Sequence, residues 1–493
     1  MSSNFSRFGQ QEESISDYNS DNLNLLEEPL QDYVNENLQA IEAEDYYKEQ
    51  VPPKKCLIIA AGRGSRLSDR CESKPLLPLL GLRLIERVIL TAKKAGLEEF
   101  YIVTGYNGKE LRRFLDELSR KRNITIKYIF NDEWRRGNGI SVLKARDYID
   151  DDFVLLMCDH IFDENILIEL IDEPHSPDEI IMALDYNIMT NNLIDIDDVT
   201  KVFVKNKRVK DIGKEIYRYN AFDTGIFLCS PILFNALEES IENGDESLSG
   251  GIRILAEYNR VKVFDIRDRY WIDVDDSKAY KKAKKLLLSK LKKKSDGPIS
   301  RYLNRPVSMR ITQKLVKYNI TPNQISLLSF ILAIIGSIFF LSGGYFNLVA
   351  GALLAQFASI IDGCDGEIAR LKMMASDFGG WFDAVLDRYA DAFLLFGLTY
   401  YIYTIFPGFL TLFIGFLAII GSFMNSYTAD KYDGLMKQKL GNKSAYFRLG
   451  RDVRIIILLI GILLNLGFLV LILIASIMNF ENIRRVVVLY KNQ

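Results

Sequence analysis

Aspartates recur at helical spacing in the carboxyl-terminal half of the chain, where apolar residues dominate. Asp362 and Asp365 lie three residues apart in "DGCDGEIAR". Asp383 and Asp387 lie four apart in "GGWFDAVLD". Because such spacing places side chains on one helical face, two neighbouring helices would present carboxylates to each other, and these repel unless cations lie between them. Hard oxygen ligands favour Mg²⁺, Mn²⁺ or Ca²⁺, and paired ions of this kind suit phosphoryl chemistry.

This segment resembles the signature of the CDP-alcohol phosphatidyltransferases, and the resemblance covers about residues 300–490. The matching residues are Asp362, Asp365, Gly366, Ala369, Arg370, Gly379, Asp383 and Asp387. The resemblance implies that all four aspartates bind a metal, Mg²⁺ or Mn²⁺, and that Asp387 is also the general base. An acceptor hydroxyl would attack the β-phosphorus of a CDP-linked donor and expel CMP. The implied nucleotide-binding residues are Asn323, Gly366, Ala369, Arg370 and Gly379.

Six apolar runs predict an all-α domain with six transmembrane helices. They are residues 325–341, 348–361, 382–405, 409–423, 455–464 and 466–478. A spanning helix needs roughly 20 such residues, which the flanking turns complete. Basic residues concentrate on one set of connections, so both termini and both active sites are expected on the cytoplasmic side of the cell membrane. Segment 304–326 alternates basic and apolar positions, which predicts a helix on the membrane surface that ends at "TPN", with its basic side toward lipid headgroups.

A glycine-rich turn follows a short apolar strand in "CLIIAAGRGSRL", residues 56–67. Backbone N–H groups of such a turn can wrap a triphosphate, and Arg66 would neutralise its charge. Lys74 follows in "SKPLLPLLG", and Asp159 ends the apolar strand "FVLLMCDH", where a carboxylate can hold a metal over the sheet edge. Strands and helices alternate through this half, which favours a Rossmann-like α/β fold with a doubly wound, mostly parallel sheet.

Together these segments resemble the NTP-dependent sugar-phosphate nucleotidyltransferases over residues 54–285. The resemblance implies that Arg66 and Lys74 bind phosphates and serve catalysis, and that Asp159 and Asp273 hold Mg²⁺. The implied nucleotide-binding residues are Ala61, Gly62, Gly64, Ser65, Arg66, Lys74, Gly139 and Ser141. The implied substrate-binding residues are Lys214 and Asp223. The next two aspartates are interpreted as caps of the lysine-rich helix that follows, and they are Asp275 and Asp276.

Composition limits the other possibilities. The chain has 493 residues and a net charge of -2, without the basic excess of a nucleic-acid-binding protein. Five scattered cysteines and two histidines argue against a disulfide framework, a zinc site and a histidine-based triad. Four regions are predicted: an acidic flexible extension over 1–50, a nucleotidyltransferase domain over 51–285, a basic linker with a juxtamembrane helix over 286–324, and a transmembrane domain over 325–493. A homodimer is expected to form through the transmembrane domain.

One half makes a nucleotide-activated ester and the other consumes a CDP-activated ester, which indicates consecutive steps that share cytidine. This fusion resembles the bifunctional inositol-1-phosphate cytidylyltransferase and di-myo-inositol-phosphate phosphate synthase family. The resemblance implies that CTP and inositol 1-phosphate give CDP-inositol. CDP-inositol and a second inositol 1-phosphate then give CMP and a phosphorylated di-inositol phosphodiester, a compatible solute. The acceptor phosphate needs a cationic pocket, for which the candidates are Lys431, Arg448, Arg451 and Arg454.

Two other interpretations stay open. In the first, the membrane domain joins a polyol phosphate to CDP-diacylglycerol and makes a phospholipid, although a cytidylyltransferase beside it would then be idle. In the second, one domain is degenerate and serves only as an anchor or binding module. The presence of both sets of motif residues argues against the second interpretation.

Overall fold

The computed structural model describes residues 51–67, 71–292, 297–440 and 450–491, and the side chains of Ser65 and of residues 430–440 are outside this description. Several sequence predictions therefore lie outside the described residues. They are the acidic extension 1–50, the side chains of Ser65 and Lys431, and Arg448.

A nine-stranded sheet forms the centre of the amino-terminal half, in the order β5-β4-β1-β6-β11-β8-β12-β10-β9. Its strands are β1 (Lys55–Ala60), β4 (Glu99–Thr104), β5 (Thr125–Phe130), β6 (Phe153–Met157), β8 (Ile180–Asp185), β9 (Lys201–Lys205), β10 (Arg208–Gly213), β11 (Ala221–Cys229) and β12 (Val261–Asp265). Four strands pair outside it, as β2 (Pro78–Leu79) with β3 (Leu82–Arg83) and β7 (His160–Phe162) with β13 (Trp271–Asp273).

The prediction of a mostly parallel sheet holds for only part of these strands. Strands β5, β4, β1 and β6 are parallel, as are β8 and β12. Strand β11 runs antiparallel to both β6 and β8, and β10 runs antiparallel to β9 and β12. Strands β9 and β10 form a hairpin through Asn206 and Lys207, whose φ angles of 55° and 57° fit a tight two-residue turn. The sheet is therefore mixed.

Helices cover both faces of this sheet, and both faces are buried. They are α1 (Leu84–Lys94), α2 (Gly108–Arg122), α3 (Asn138–Leu143), α4 (Glu164–Leu170), α5 (Ile232–Glu242), α6 (Leu248–Glu257) and α7 (Ser277–Ser289). In β1, Cys56 and Ile58 join one apolar core while Leu57 and Ile59 join the other. This alternation is what a strand between two helical layers requires.

The carboxyl-terminal half is all helical. Its helices are α8 (Arg305–Leu315), α9 (Pro322–Ser342), α10 (Tyr345–Leu371), α11 (Asp377–Ile405), α12 (Phe409–Leu440), α13 (Arg451–Leu463) and α14 (Gly467–Lys491). Thr321 caps α9 by accepting a hydrogen bond from the Gln324 N–H, as the "TPN" segment predicts. Helices α9 and α10 approach closely where a Cβ on Gly351 would lie 2.6 Å from the Gly336 carbonyl oxygen.

Four of these helices are long and apolar enough to cross a membrane. They are α9, α10, the residues Phe409–Ala429 of α12, and α14. The other two predicted spans also form helices, but α11 begins among aspartates, and the 13 residues of α13 fall short of the roughly 20 that a bilayer requires. The structure thus provides a membrane domain with four apolar helices.

Helix α8 differs from its predicted surface orientation. Arg305 is buried, and its Nη1 donates to Glu367 Oε1 of α10 at 2.9 Å. Ser308 Oγ donates to the same oxygen at 2.6 Å, and Glu367 itself is fully buried. The prediction that the basic side faces lipid headgroups is therefore wrong for Arg305, because a buried carboxylate on a distant helix needs a partner.

Candidate active sites

Three of the predicted metal ligands come together where α10 and α11 face each other. Asp362 of α10 and Asp383 and Asp387 of α11 offer oxygen atoms that all lie within 4.8 Å of one another. Asp383 and Asp387 lie one turn apart on the same face of α11, and the facing turn of α10 places Asp362 opposite them. We call these three residues the membrane aspartate cluster.

Serines of α9 orient the carboxylates of α10. Ser326 Oγ donates to Asp365 Oδ2 at 2.6 Å, and Ser329 Oγ donates to Asp362 Oδ1 at 3.2 Å. Asp365 lies one turn beyond Asp362 and is outside the membrane aspartate cluster. The sequence analysis did not identify these serines, although their spacing of three residues places them on one face of an apolar helix and could have indicated their role.

Arg451, predicted to bind the acceptor phosphate, contacts the membrane aspartate cluster directly. Its guanidinium pairs with Asp387 and lies 3.2 Å from Asp362 Oδ1. Arg454 is buried and pairs with Asp391, which also lies 3.2 Å from Arg451 Nε. Asp391 was missed, yet it continues the four-residue spacing of Asp383 and Asp387. Both arginines therefore lie in the first turn of α13, on the side of the helix that faces the carboxylates.

The predicted nucleotide-binding residues lie on the helices of the cluster, α10 and α11, except for Asn323, which lies in the first turn of α9. Asn323 Oδ1 would lie 3.4 Å from a Cβ on Gly379, and Arg370 Nη1 would lie 3.2 Å from one on Gly366. The absence of a side chain at both glycines lets these polar groups lie close to the helix backbone. Ala369 lies one residue before Arg370, and both border a cavity between the two halves of the molecule.

A second acidic cluster surrounds Lys74 in the amino-terminal half. Lys74 Nζ lies 2.5 Å from Asp159 Oδ2 and 3.8 Å from Asp273 Oδ1, and it also pairs with Asp275. Burial opposes its charge, but these three carboxylates together raise the pKa of Lys74 above its ordinary value. Lys74 is therefore a fixed cation at the predicted metal site. The prediction that Asp275 caps a helix is wrong, whereas Asp276 does cap α7.

The pairing of β7 with β13 sets His160 opposite Asp273 and brings Asp159 beside them. Their ligand atoms lie within 4.8 Å of one another, and His160 Nε2 is 3.4 Å from Asp273 Oδ2. Burial opposes the charge of His160, but Asp273 raises its pKa to about 9. We call Asp159, His160 and Asp273 the cleft cluster.

A cleft of about 470 Å³ opens over this cluster, and its wall carries charged side chains. Arg66 pairs with Asp198, whose second partner is Lys214 Nζ at 2.6 Å. The Arg66 hydrogen bond, helped by Lys214, lowers the pKa of Asp198 to about 2. Asp198 was missed by the sequence analysis because it lies in a loop without a motif, and its partner Arg66 is 132 residues away in the sequence. Lys278 and Lys282 of α7 also line the cleft.

The remaining predicted residues divide between the cleft and the protein interior. Asp223 lines the cleft, and burial raises its pKa to about 6. Gly139 and Ser141 pack inward instead: Gly139 N donates to Glu246 O at 3.0 Å, and Ser141 Oγ accepts from Asn131 Nδ2 at 2.9 Å. The neighbour that borders the cleft is Asn138.

The glycine-rich turn holds Lys74 at close range. Gly64 has a φ of +64°, and a Cβ there would lie 2.4 Å from Lys74 Cβ. A glycine is therefore required for both conformation and space. Ala61 is buried directly after β1, where its carbonyl oxygen accepts from Tyr106 N at 2.9 Å. Among the described residues, no atom lies within 4 Å of the place that a Cβ on Gly62 would take. Gly62 is thus the open position of the turn.

Comparison with known proteins assigns the two halves separately. Residues 56–196 match the MobA-like NTP transferase domain, and residues 319–481 match the CDP-alcohol phosphatidyltransferase family. A Rubrobacter xylanophilus protein named bifunctional IPC transferase and DIPP synthase is 34% identical over 442 residues, which are 88% of this chain and 96% of that protein. An Aquifex aeolicus protein of the same name is 32% identical, over 89% of this chain and 98% of its own length.

The chain belongs to the family of bifunctional IPC transferases and DIPP synthases. Among solved structures, the inositol-1-phosphate CTP transferase from T. maritima matches with a TM-score of 0.42 and 24% identity, over 48% of this chain and 97% of that one. As a member of a family with two transferase domains, the chain is a transferase enzyme.

Both clusters in this bifunctional family member fit a divalent metal. Asp383 Oδ1 and Asp273 Oδ1 are buried and accept no hydrogen bond within the described part of the chain, although Lys74 Nζ lies 3.8 Å from Asp273 Oδ1. A buried carboxylate oxygen without a hydrogen-bond donor is energetically unfavourable, and a directly bound metal ion would satisfy it. The donors are almost all carboxylate oxygens, which suit a hard ion.

Proposed function

We propose that this chain first converts CTP and inositol 1-phosphate to CDP-inositol and pyrophosphate. It then joins CDP-inositol to a second inositol 1-phosphate, which gives CMP and di-myo-inositol phosphate phosphate, a compatible solute. One observation carries this proposal: a single chain holds two acidic clusters, each with a built-in cation, in two domains that match nucleotide-using transferases. The bifunctional name of its full-length relatives supports the same pair of steps.

In the first step, a phosphate oxygen of inositol 1-phosphate attacks the α-phosphorus of CTP, and the bond to pyrophosphate breaks. Arg66 and Lys74 neutralise the triphosphate, which is the main task of a protein in phosphoryl transfer. Lys214 and Asp223 face the cleft and bind the polyol phosphate. The glycine-rich turn approaches the nucleotide, together with the segment that contains Gly139 and Ser141.

In the second step, Asp387 takes the proton from a hydroxyl of the acceptor inositol 1-phosphate. The hydroxyl oxygen attacks the β-phosphorus of CDP-inositol, and the bond to CMP breaks. Arg451 lies against Asp387, so a phosphate bound by its guanidinium would be near the base. Arg454, Lys431 and Arg448 complete the acceptor pocket in this proposal. The nucleotide lies along the residues of the signature, Asn323, Gly366, Ala369, Arg370 and Gly379.

Mg²⁺ is the metal that we assign to both sites, with Mn²⁺ as its substitute. Asp159 and Asp273 would hold it in the cleft cluster, and Asp362, Asp365, Asp383 and Asp387 would hold it in the membrane domain. Such ions stabilise negative charge on the oxygens of the transferred phosphoryl group. The alignment of these carboxylates is the contribution of the chain itself.

We further propose the arrangement of the enzyme in the cell membrane. All six helices from α9 to α14 cross the bilayer, α13 together with its flanking turns, with both termini and both active sites on the cytoplasmic side. The domain borders are those of the sequence analysis, with the linker over 286–324, and two copies pair through the membrane domain. Reagents that label single engineered cysteines from one side of sealed vesicles would test this topology.

The proposal is tested by offering the purified enzyme matched sets of substrates with Mg²⁺. With CTP, the enzyme is expected to release pyrophosphate faster in the presence of inositol 1-phosphate than in the presence of glucose 1-phosphate or glycerol 3-phosphate. With inositol 1-phosphate as acceptor, CDP-inositol is expected to release CMP, and CDP-diacylglycerol is not. Release of CMP from CDP-diacylglycerol, with a lipid product, would instead establish the phospholipid synthase interpretation.

A further inference from the structure

The two halves of the molecule meet at the carboxyl-terminal end of α10. Arg87 of α1 is buried, and its Nη2 donates to the carbonyl oxygen of Leu371 at 3.2 Å and to that of Leu79 at 3.1 Å. Arg122 of α2 donates through Nη2 to the carbonyl oxygen of Lys372 at 3.1 Å. Leu371 is the last residue of α10 and Lys372 is its C-cap, so both arginines satisfy carbonyls of this helix end.

Apolar packing closes the same contact. Leu371 and Val316 are both buried, and they share one apolar cluster with residues of the amino-terminal half, among them Leu79, Leu80, Ala283, Leu287 and Leu291. Gly81 allows the backbones to approach, since a Cβ there would lie 2.6 Å from Val316 Cγ2. The docked arrangement therefore buries side chains that would face water if the halves separated.

The residue before this helix end is Arg370 of the signature. Arg370 Nη2 donates to the carbonyl oxygen of Leu291, which follows α7 of the amino-terminal half, at 3.3 Å. A cavity of about 330 Å³ lies at the contact, with Ala369 and Arg370 on one side and Arg87 and Lys290 on the other. Two signature residues thus border a space whose far wall belongs to the other domain.

The last turn of a helix has carbonyl groups without partners inside the helix, and cationic donors stabilise it by hydrogen bonds and by opposing the helix dipole. Helix α10 receives such donors from outside its own domain. Burial lowers the pKa of Arg87 to about 10, which leaves this donor protonated at neutral pH. These donors contact the backbone directly after Arg370, at Leu371 and Lys372.

We propose that the cytidylyltransferase domain positions the nucleotide-binding end of the second active site, with Arg87 and Arg122 as positioning residues that hold the last turn of α10. This inference rests on the proposed function, since it assigns CDP-inositol to the second site. It predicts that the second step depends on the docked domain even when CDP-inositol is supplied from solution. The amino-terminal half thus has a task beyond supplying the donor.

The test measures the two steps separately in the full-length enzyme and its variants. Pyrophosphate release from CTP reports the first step, and CMP release from added CDP-inositol reports the second. In the double variant Arg87→Ala/Arg122→Ala, KM for CDP-inositol is expected to rise by about fivefold or more, while kcat and KM of the first step change by less than about twofold. Arg122→Lys, which keeps one donor, is expected to restore most of the affinity that Arg122→Ala loses.

Arg120→Ala is the matched control, because Arg120 is an exposed residue of the same helix whose Nε donates to the Asp116 carbonyl oxygen of that helix. An unchanged KM for CDP-inositol in the double variant would overturn the inference. An equal fall in both steps would also overturn it, because that result indicates general destabilisation. If the wild-type enzyme releases no CMP from CDP-inositol, the proposed function fails, and the inference fails with it.

Discussion

The cleft cluster and the membrane aspartate cluster both place carboxylates around a cation, but different structural elements supply the residues. Each gathers carboxylates around a basic side chain, Lys74 in the cleft and Arg451 in the membrane domain. In the cleft, the carboxylates come from strand ends far apart in the sequence, and the lysine follows a glycine-rich turn. In the membrane domain, the carboxylates repeat along two adjacent helices and the arginine comes from a third.

This difference follows from the two environments. A sheet edge surrounded by loops can collect ligands from many segments, and water reaches the cleft from outside. Helices beside lipid offer only their shared faces, so charges must repeat along them and be offset within the bundle. The two sites are therefore expected to fail independently when one is damaged, and variants can test this expectation.

The largest expected effect is the loss of the second step in Asp387→Asn. An amide cannot accept the proton of the acceptor hydroxyl, and removal of a general base typically lowers a rate by about 10² to 10⁴. CDP-inositol should then accumulate from CTP while pyrophosphate release continues at the wild-type rate. Chromatography of the nucleotides measures this directly. Asp377→Asn, an exposed position on the same helix, is the control. Normal CMP release by the Asp387 variant would refute its assignment as base.

Lys74→Ala is expected to have the opposite effect: the first step is impaired and the second step is preserved. The triphosphate loses a fixed cation, and loss of one such electrostatic contact commonly lowers a rate by about 10² to 10³. CMP release from supplied CDP-inositol should stay near the wild-type rate. Lys55→Ala serves as a control, since Lys55 pairs with Asp150 and Asp151 outside the cleft. A parallel loss of both steps would contradict the independence of the two sites.

Removal of divalent metal tests what the two clusters share. Chelation is expected to abolish both steps, because each cluster holds a buried carboxylate oxygen that accepts no hydrogen bond from the described residues and that a metal ion would satisfy. Added Mg²⁺ should restore both, at concentrations that titration of each assay would define. If one step survived exhaustive chelation, the cation of that cluster would be its own lysine or arginine rather than a metal.

Asp391→Asn should have a moderate effect confined to the membrane site. Asp391 pairs with both Arg451 and Arg454 and fixes the position of their guanidinium groups. Without this carboxylate, the two groups that would bind the acceptor phosphate are no longer held in place. We expect KM for the acceptor inositol 1-phosphate to rise by roughly tenfold, with a smaller change in KM for CDP-inositol. Initial rates over a grid of both substrates would separate the two constants. A change confined to CDP-inositol would argue that these arginines serve the donor.

Asp198→Asn is expected to have the smallest effect. Asp198 restrains Arg66 and Lys214 at the mouth of the cleft, where solvent screens the interaction. KM for CTP should change by about two- to fivefold. Because the pKa of Asp198 is about 2, the carboxylate is ionised throughout the neutral range, and the effect should be constant between about pH 6 and pH 8. A strong pH dependence in this range would point to another group.

The same comparison explains which parts of the molecule could be predicted from its sequence. Helical spacing is local, so the sequence alone was enough to assign Asp362, Asp383 and Asp387 to facing helices. Contacts between distant segments leave no such trace: Lys74 and Asp275 are 201 residues apart, and Asp198 lies in a loop without a motif. Arg305 was placed toward lipid because its partner Glu367 is on another helix.

The sheet shows the same limit. Alternating strands and helices correctly indicated an α/β domain, but strand direction depends on which neighbours pair. Strand β11 inserts antiparallel between β6 and β8, and nothing in its apolar run "AFDTGIFLC" specifies that position. Gly139 and Ser141 belong to a recognisable motif, yet they pack against the loop before α6 and the Asn131 side chain rather than lining the cleft.

The most direct test of the account follows all phosphorus species by ³¹P NMR while the wild-type enzyme consumes CTP and inositol 1-phosphate with Mg²⁺. Two active sites in series predict that CDP-inositol rises and then falls, and that every CTP ends as one pyrophosphate and one CMP, with one phosphodiester formed. Consumption of CTP without CMP and phosphodiester would contradict the account, as would their formation without pyrophosphate.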